Sequence, residues 1–165
     1  MMDSSPLTPS PQPSPTRGEG GVPFSIPVRI YYEDTDVGGV VYYANYLRFL
    51  ERARTDWLRA AGFELDAIQR DMKAVFVVRR VEADYHQPAL LGNMITVTAE
   101  PTEVGASRLV IRQRVLRSRT SGDATDELLL SATVTLAFIA SDLSGPIRMP
   151  PALRAAMKST LLPIA

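Results

Sequence analysis

The apolar positions of this chain change period where its architecture changes. From Phe24 to Glu33 they alternate, with Val28, Ile30 and Tyr32 on one side and Arg29, Tyr31 and Glu33 on the other, the period of a half-buried strand. A Gly-Gly turn follows. The period then becomes helical: Tyr46, Leu50, Ala53, Trp57 and Ala61 recur at i, i+4, i+7, i+11 and i+15 and so share one face. Asn45 reads as the N-cap and Gly62 as the stop. The spacing predicts about 17 residues, roughly 25 Å of helix. FELDAIQRDM comes next as a short helical or turn segment that sets Phe63, Ala67 and Ile68 against the core.

Four strand-like runs fill the second half. AVFVVRRVEADYHQP carries Val75, Val77, Val81 and Tyr85 at even spacing. In MITVTAEPTEV, Pro101 points to a bulge or a strand edge. RLVIRQRVLRS follows a turn at Gly105, and ELLLSATVTLAFIA, apolar on both faces, belongs inside its sheet. No long helix separates these runs, so the sheet is expected to be antiparallel. PPALRAAMKST reads as a terminal helix opened by prolines. Together these elements predict an α+β domain over residues 24–165, one long helix gripped by a curved five-stranded antiparallel sheet. Its open edges invite pairing with a second copy.

Residues 1–23 stand apart, holding six of the 13 prolines. Their apolar residues are Met1, Met2, Leu7 and Val22, too few to offset the entropy of ordering, so disorder is expected. There is no apolar core of a signal peptide. The abrupt change in composition suggests that native translation starts near Val22, which intact-mass measurement of protein from the native host would decide.

Composition narrows the chemistry. Lys plus Arg equals Asp plus Glu, 18 of each, which gives no case for nucleic-acid or membrane-surface binding. No apolar run reaches about 18 residues, so no membrane-spanning helix is expected. The absence of cysteine removes thiol nucleophiles and disulfides and fits a reducing, cytoplasmic setting. The single histidine, His86, lies at a strand end beside Gln87 and Pro88. One histidine without cysteine makes a poor transition-metal site, and His86 lies far from any nucleophile elbow.

The remaining candidate is Asp36, in the loop before the long helix. An aspartate before Gly-Gly is also ordinary turn chemistry. Beside a helix N-terminus, however, a carboxylate is paired with free backbone N–H groups, an arrangement suited to chemistry on a carbonyl. Glu51 borders the helix seam and is a second carboxylate to weigh, against an ion pair with Arg48 or Arg54. Arg79 and Arg80, and the series Arg112, Arg114, Arg117 and Arg119, could meet phosphates, but arginines at period two also describe a solvated strand face.

Several marks occur in order: Arg29-Ile30, Thr35-Asp36, Gly39-Val40-Val41, Ala44-Asn45, then LERART with Trp57-Leu58, and downstream FVVRRVEADYHQPALLGNMITV. In these the chain resembles the hotdog-fold acyl-CoA thioesterases of the 4-hydroxybenzoyl-CoA thioesterase family, and within them the Tol–Pal-associated (YbgC-type) branch. The resemblance covers about residues 24–155. It implies the hotdog fold, hydrolysis of an acyl-CoA thioester without metal or redox cofactor, and a homodimer that often doubles to a homotetramer. It places the catalytic carboxylate on Asp36 and the carbonyl-polarising backbone N–H on Tyr43, with Gly39 and Tyr42 beside the substrate. At Tyr43 the sequence departs from the branch, where histidine is expected. The same fold also supports enoyl-thioester hydration, which usually needs a histidine absent from this turn and helix. It further supports non-catalytic binding of acyl thioesters or of an acyl carrier protein.

Overall fold

The computed structural model describes residues 21–118 and 125–162. Positions 1–20 of the expected disordered extension lie outside the described residues, and Gly21–Pro23 lead directly into the first strand. Along the chain come β1 (Phe24–Arg29), a 3-10 turn (Tyr32–Asp34), α1 (Asn45–Ala60), α2 (Leu65–Met72), β2 (Ala74–Tyr85), β3 (Met94–Val104), β4 (Arg108–Arg117), β5 (Glu127–Ala140) and α3 (Pro151–Lys158). The five strands form one antiparallel sheet in the order β1-β3-β4-β5-β2.

The long helix forms where the 3.6-residue period predicts it. Its inward face carries Tyr46, Phe49, Leu50, Ala53, Trp57 and Leu58, all buried against the sheet. Each of the large ones contributes about 1.5–3 kcal/mol on leaving water. Ala61 lies beyond the last turn and is only half-buried. Gly62 ends the helix as expected: its φ of +97° is the left-handed geometry of a helix stop, and its N–H donates to Arg59 O at 2.9 Å. The start differs from expectation. Ala44, not Asn45, is the N-cap, and it offers no side-chain oxygen. Asn45 is the first helical residue, and its amide donates instead to Asp34 O at 2.9 Å, tying the helix to the loop before it.

Three register shifts interrupt the sheet, and two of them bear on the sequence reading. In β2 the register with β5 shifts between Val78 and Arg80. Phe76 and Val78 pair with Phe138 and Leu136, whereas past the bulge Val81, Ala83 and Tyr85 pair with Val134, Ala132 and Leu130. Val75 and Val77 are therefore on the opposite face from Val81 and Tyr85. Even spacing in the sequence misread this, because one extra residue inverts the alternation. In β3 the second bulge falls between Pro101 and Glu103, where the proline had marked one. β1 pairs only as far as Ala99, so Pro101 denies no partner a hydrogen bond on that side. β5, apolar on both faces, is paired on both sides. α2 buries Ile68, and α3 buries Leu153 and Met157.

One polar side chain crosses the core. Gln113 on β4 is fully buried; its amide donates to Leu50 O on α1 and Thr98 O on β3, both at 3.0 Å. Its carbonyl oxygen accepts from Arg54 Nη1 at 2.9 Å. Helix and sheet are thus bolted together midway along α1.

Candidate active site

The loop from Tyr31 to Ala44 is folded almost entirely by its own backbone. Asp34 N–H donates to Tyr31 O, and the Asp34 carboxylate accepts the Tyr31 N–H at 2.8 Å. Thr35 and Val41 then bridge as a miniature hairpin. Its tip is the turn Asp36–Gly39, closed by Gly39 N–H to Asp36 O and by Asp36 N–H to Val40 O, each at 3.0 Å. Gly39 has a φ of +71°, the conformation that glycine adopts without strain. Gly38 serves a different need: a Cβ there would meet Asp36 Oδ1 at 3.2 Å. Without one, the Gly38 N–H donates to that oxygen at 2.9 Å. The Asp36 side chain is exposed, and one of its two oxygens is held in this way.

A second segment braces the hairpin. Val41 N–H donates to Ala89 O, and Leu91 N–H to Gly39 O. Ala89 N–H in turn donates to Tyr46 Oη at 2.8 Å, so the first turn of α1 and the 88–93 loop share one buried phenol. Burial pushes the Tyr46 phenol up, partly offset by the Ala89 N–H it accepts. Arg117 on β4 completes the brace, donating to Pro88 O and Asn93 Oδ1 while paired with Glu127 at 2.7 Å.

The helix entrance presents unpaired donors. Tyr42 O accepts from Asn45 N–H at 2.9 Å, and Tyr42 N–H donates to Asp34 O. Among the described residues, the N–H groups of Tyr43 and Ala44 have no acceptor. The first turn of α1 carries no acidic side chain, so nothing there neutralises the positive end of the helix. The Tyr42 and Tyr43 rings are exposed and touch at a tilt of 57°, 4.8 Å between centroids. Tyr85, at the end of β2, packs edge-on against Tyr43 and Tyr46, and its hydroxyl donates to Tyr43 O at 3.0 Å.

The loop and the helix start thus gather Asp36, Gly39, Tyr42 and Tyr43 on connected backbone. Glu51 stands elsewhere: its carboxylate accepts from Thr55 Oγ1 at 2.7 Å, and it forms none of the ion pairs among the described residues. The expected pairing with Arg48 or Arg54 is therefore corrected; Arg54 turns inward to Gln113. His86 contacts Ser131 Oγ at 2.9 Å, outside this group. Arg80 and Arg112 pair with Glu82 and Glu100, and Arg119 lies outside the described residues. A separate hollow of about 120 Å³, walled by Trp57, Leu58, Phe76, Leu109, Ile111 and Leu136, opens beside Glu51 and Arg54 and touches neither Asp36 nor Tyr43.

Sequence reasoning passed over Tyr85 and Gln113. Gln113 was visible as the one polar residue of the inward series Ile111, Gln113, Val115. Tyr85 had only its place at a strand end, and the bulge that aims it left no mark beyond two arginines.

Gly39→Ala tests the turn. A methyl group there meets nothing within 4 Å, so the cost is conformational, about 1–2 kcal/mol. Denaturant unfolding should show that loss with an unchanged m-value.

Similarity to known proteins converges on one family. The Thioesterase superfamily matches residues 38–122. The chain is 38% identical over 133 residues to the acyl-CoA thioesterase YbgC of Haemophilus influenzae, covering 81% of this chain and 93% of that one. It is 40% identical over 128 residues to the acyl-CoA thioester hydrolase YbgC of Escherichia coli, covering 78% and 87%. In fold it superposes on a 4-hydroxybenzoyl-CoA thioesterase variant crystallised with 4-hydroxybenzoyl-CoA, with a TM-score of 0.74 at 21% identity over 81% of this chain and 96% of the other. With its sheet, its central helix and these relatives, the chain belongs to the thioesterase superfamily.

Proposed function

We propose that this chain hydrolyses the thioester of an acyl-CoA to the free acid and CoA, with Asp36 and the Tyr43 N–H as its working groups. The thioester carbonyl oxygen sits at the entrance of α1 and accepts from Tyr43 N–H. Asp36 attacks the carbonyl carbon or takes a proton from the water that does. In the water route the water oxygen bonds to the carbonyl carbon, the C–S bond breaks, and the proton taken by Asp36 passes to the sulfur, so that CoA leaves as its thiol. In the direct route the C–S bond breaks to give an acyl anhydride on Asp36, which a water then opens to the free acid, its protons going to the thiolate and the medium. Gly39 and Tyr42 border the bound acyl group. The observation that carries the reading is the free N–H pair at an acid-free helix start, joined through one short hairpin to a carboxylate. Tyrosine in place of the branch's histidine leaves this chemistry intact, because the donor is backbone.

The site is open in a single chain, and we place its second wall on another copy. β2 is an edge strand with Val78 and Val81 exposed, and it borders the apolar hollow beside Glu51. Pairing along β2 would cover those valines and bring the Asp36 loop of one copy towards the hollow of the other. A homodimer, or a homotetramer built from two, is the assembly this reading needs. A cytoplasmic location fits the cysteine-free chain. An acyl carrier protein bearing the same thioester is a further substrate form.

Thiol release from a panel of short, long and aromatic acyl-CoAs tests the reading. At least one should turn over, and sedimentation of the active species should give a dimer or larger. No thiol release from any member would remove the hydrolase and leave the fold.

A further inference from the structure

Tyr85 lies on β2, 42 residues from the helix entrance, yet its hydroxyl reaches the Tyr43 carbonyl oxygen at 3.0 Å. The peptide group is planar, so holding a carbonyl oxygen fixes the N–H across the same bond. Two peptide planes flank the Cα of Tyr43. The one bearing the Tyr43 N–H is held through Tyr42 O, which accepts from Asn45 N–H. The one bearing the Ala44 N–H has Tyr43 O as its carbonyl, and the Tyr85 hydroxyl holds it. Among the described residues both N–H groups lack an acceptor, and both lie at the entrance of α1, on its N-cap Ala44 and the residue before it.

We propose that Tyr85 is a positioning residue for thioester hydrolysis: through Tyr43 O it locks the turn Tyr42–Asn45 so that the free N–H groups stay aligned on the substrate carbonyl. The inference rests on the proposed acyl-CoA hydrolysis at Asp36 and Tyr43. Without a helical capping side chain, this entrance has no other side-chain bond on its own carbonyls among the described residues: Ala44 caps nothing, and Asn45 turns back to Asp34. The ring of Tyr85 is itself fixed, edge-on to Tyr43 at 6.4 Å and to Tyr46 at 5.7 Å. Burial and the neighbouring Tyr43 push its phenol up, so it remains a donor at neutral pH. Tyr46 anchors the same turn from the other side through Ala89. A carbonyl polarised by preorganised donors gains most in the transition state, where its oxygen carries the charge. Slackening one peptide should therefore cost turnover more than binding.

Tyr85→Phe removes the hydroxyl and keeps the ring. The expected result is a fall in kcat of about tenfold, with KM within about twofold and an unchanged melting temperature. A spectroscopic arm reads the polarisation directly. With an aromatic acyl-CoA bound to the slow Asp36→Asn variant, the infrared carbonyl band should move to lower frequency than in solution. In Asp36→Asn with Tyr85→Phe the displacement should shrink. A kcat within about twofold of wild type, or an undiminished carbonyl displacement, overturns the positioning role. Loss of turnover in Asp36→Asn but not in Tyr85→Phe would sink this inference alone. Full turnover in Asp36→Asn would sink the reading beneath it.

Discussion

Asp36→Asn should lower kcat for acyl-CoA hydrolysis by at least roughly a hundredfold, the scale of a lost acid–base group. The expectation follows from how little else the substitution changes. Asp36 is exposed, and its one side-chain hydrogen bond within the fold is accepted by Oδ1 from Gly38 N–H. An asparagine carbonyl oxygen accepts that same N–H. The turn below it is closed by backbone groups alone, Gly39 N–H to Asp36 O and Asp36 N–H to Val40 O. The hairpin should keep its shape, and the melting temperature should stay close to wild type. What disappears is the negative charge and the lone pair that attacks carbon or accepts a proton from water. Measured as thiol release at saturating substrate, the loss should fall on kcat rather than on KM. Equal turnover in the two proteins would move the chemistry away from Asp36. Glu51 would then be the next carboxylate to replace, although its oxygen is engaged by Thr55.

The fold was largely legible because its signals are periodic. The stripe from Tyr46 to Trp57, the Gly62 stop and the Pro101 bulge each follow from local chemistry that one stretch of sequence contains. What stayed hidden depended on contacts between distant segments. Asn45 looks like a cap because asparagine caps helices. Its actual partner, Asp34 O, is placed there by a hairpin that only the whole loop defines. The facing of Val75 and Val77 depends on a bulge at Arg79, and no residue type near it announces one. For the proposed site, Asp36 and Tyr43 stood out by their order in a motif. Tyr85 did not, because the role proposed for it consists of a bond spanning 42 residues. Glu51 and Arg54 misled for a related reason. At i,i+3 spacing they look like partners, but a fully buried amide competes for the guanidinium and gets it.

That amide sets the second large expectation: Gln113→Leu should destabilise the protein by about 2–4 kcal/mol, although leucine is apolar and of similar size. Gln113 makes three hydrogen bonds in the core, two to α1 at Leu50 O and Arg54 and one to Thr98 O on β3. Leu50 O loses least, since a helix-interior carbonyl still accepts along the helix. Thr98 O keeps only what the ladder gives it. Arg54 loses most. Desolvation by burial already pulls its guanidinium down from the ordinary arginine range, with Glu51 only partly opposing that. A half-buried cation with its acceptor removed carries a desolvation cost that Glu51 offsets only in part. The unfolding midpoint in urea should fall at constant m-value. Arg54→Met in the same background should recover much of the loss, because removing both partners leaves no stranded charge. Coupling between the two substitutions, measured as a double-mutant cycle, should exceed about 1 kcal/mol. Simple additivity would mean that Gln113 acts by filling space rather than by holding α1 to the sheet. Because that bolt sits on Leu50, one turn past Tyr46, the double variant should retain its kcat even where its stability is reduced. Stability of the bolt and chemistry at the helix entrance are then separable, which is the behaviour expected of a site built from backbone in the first turn and carried by the helix as a rigid rod.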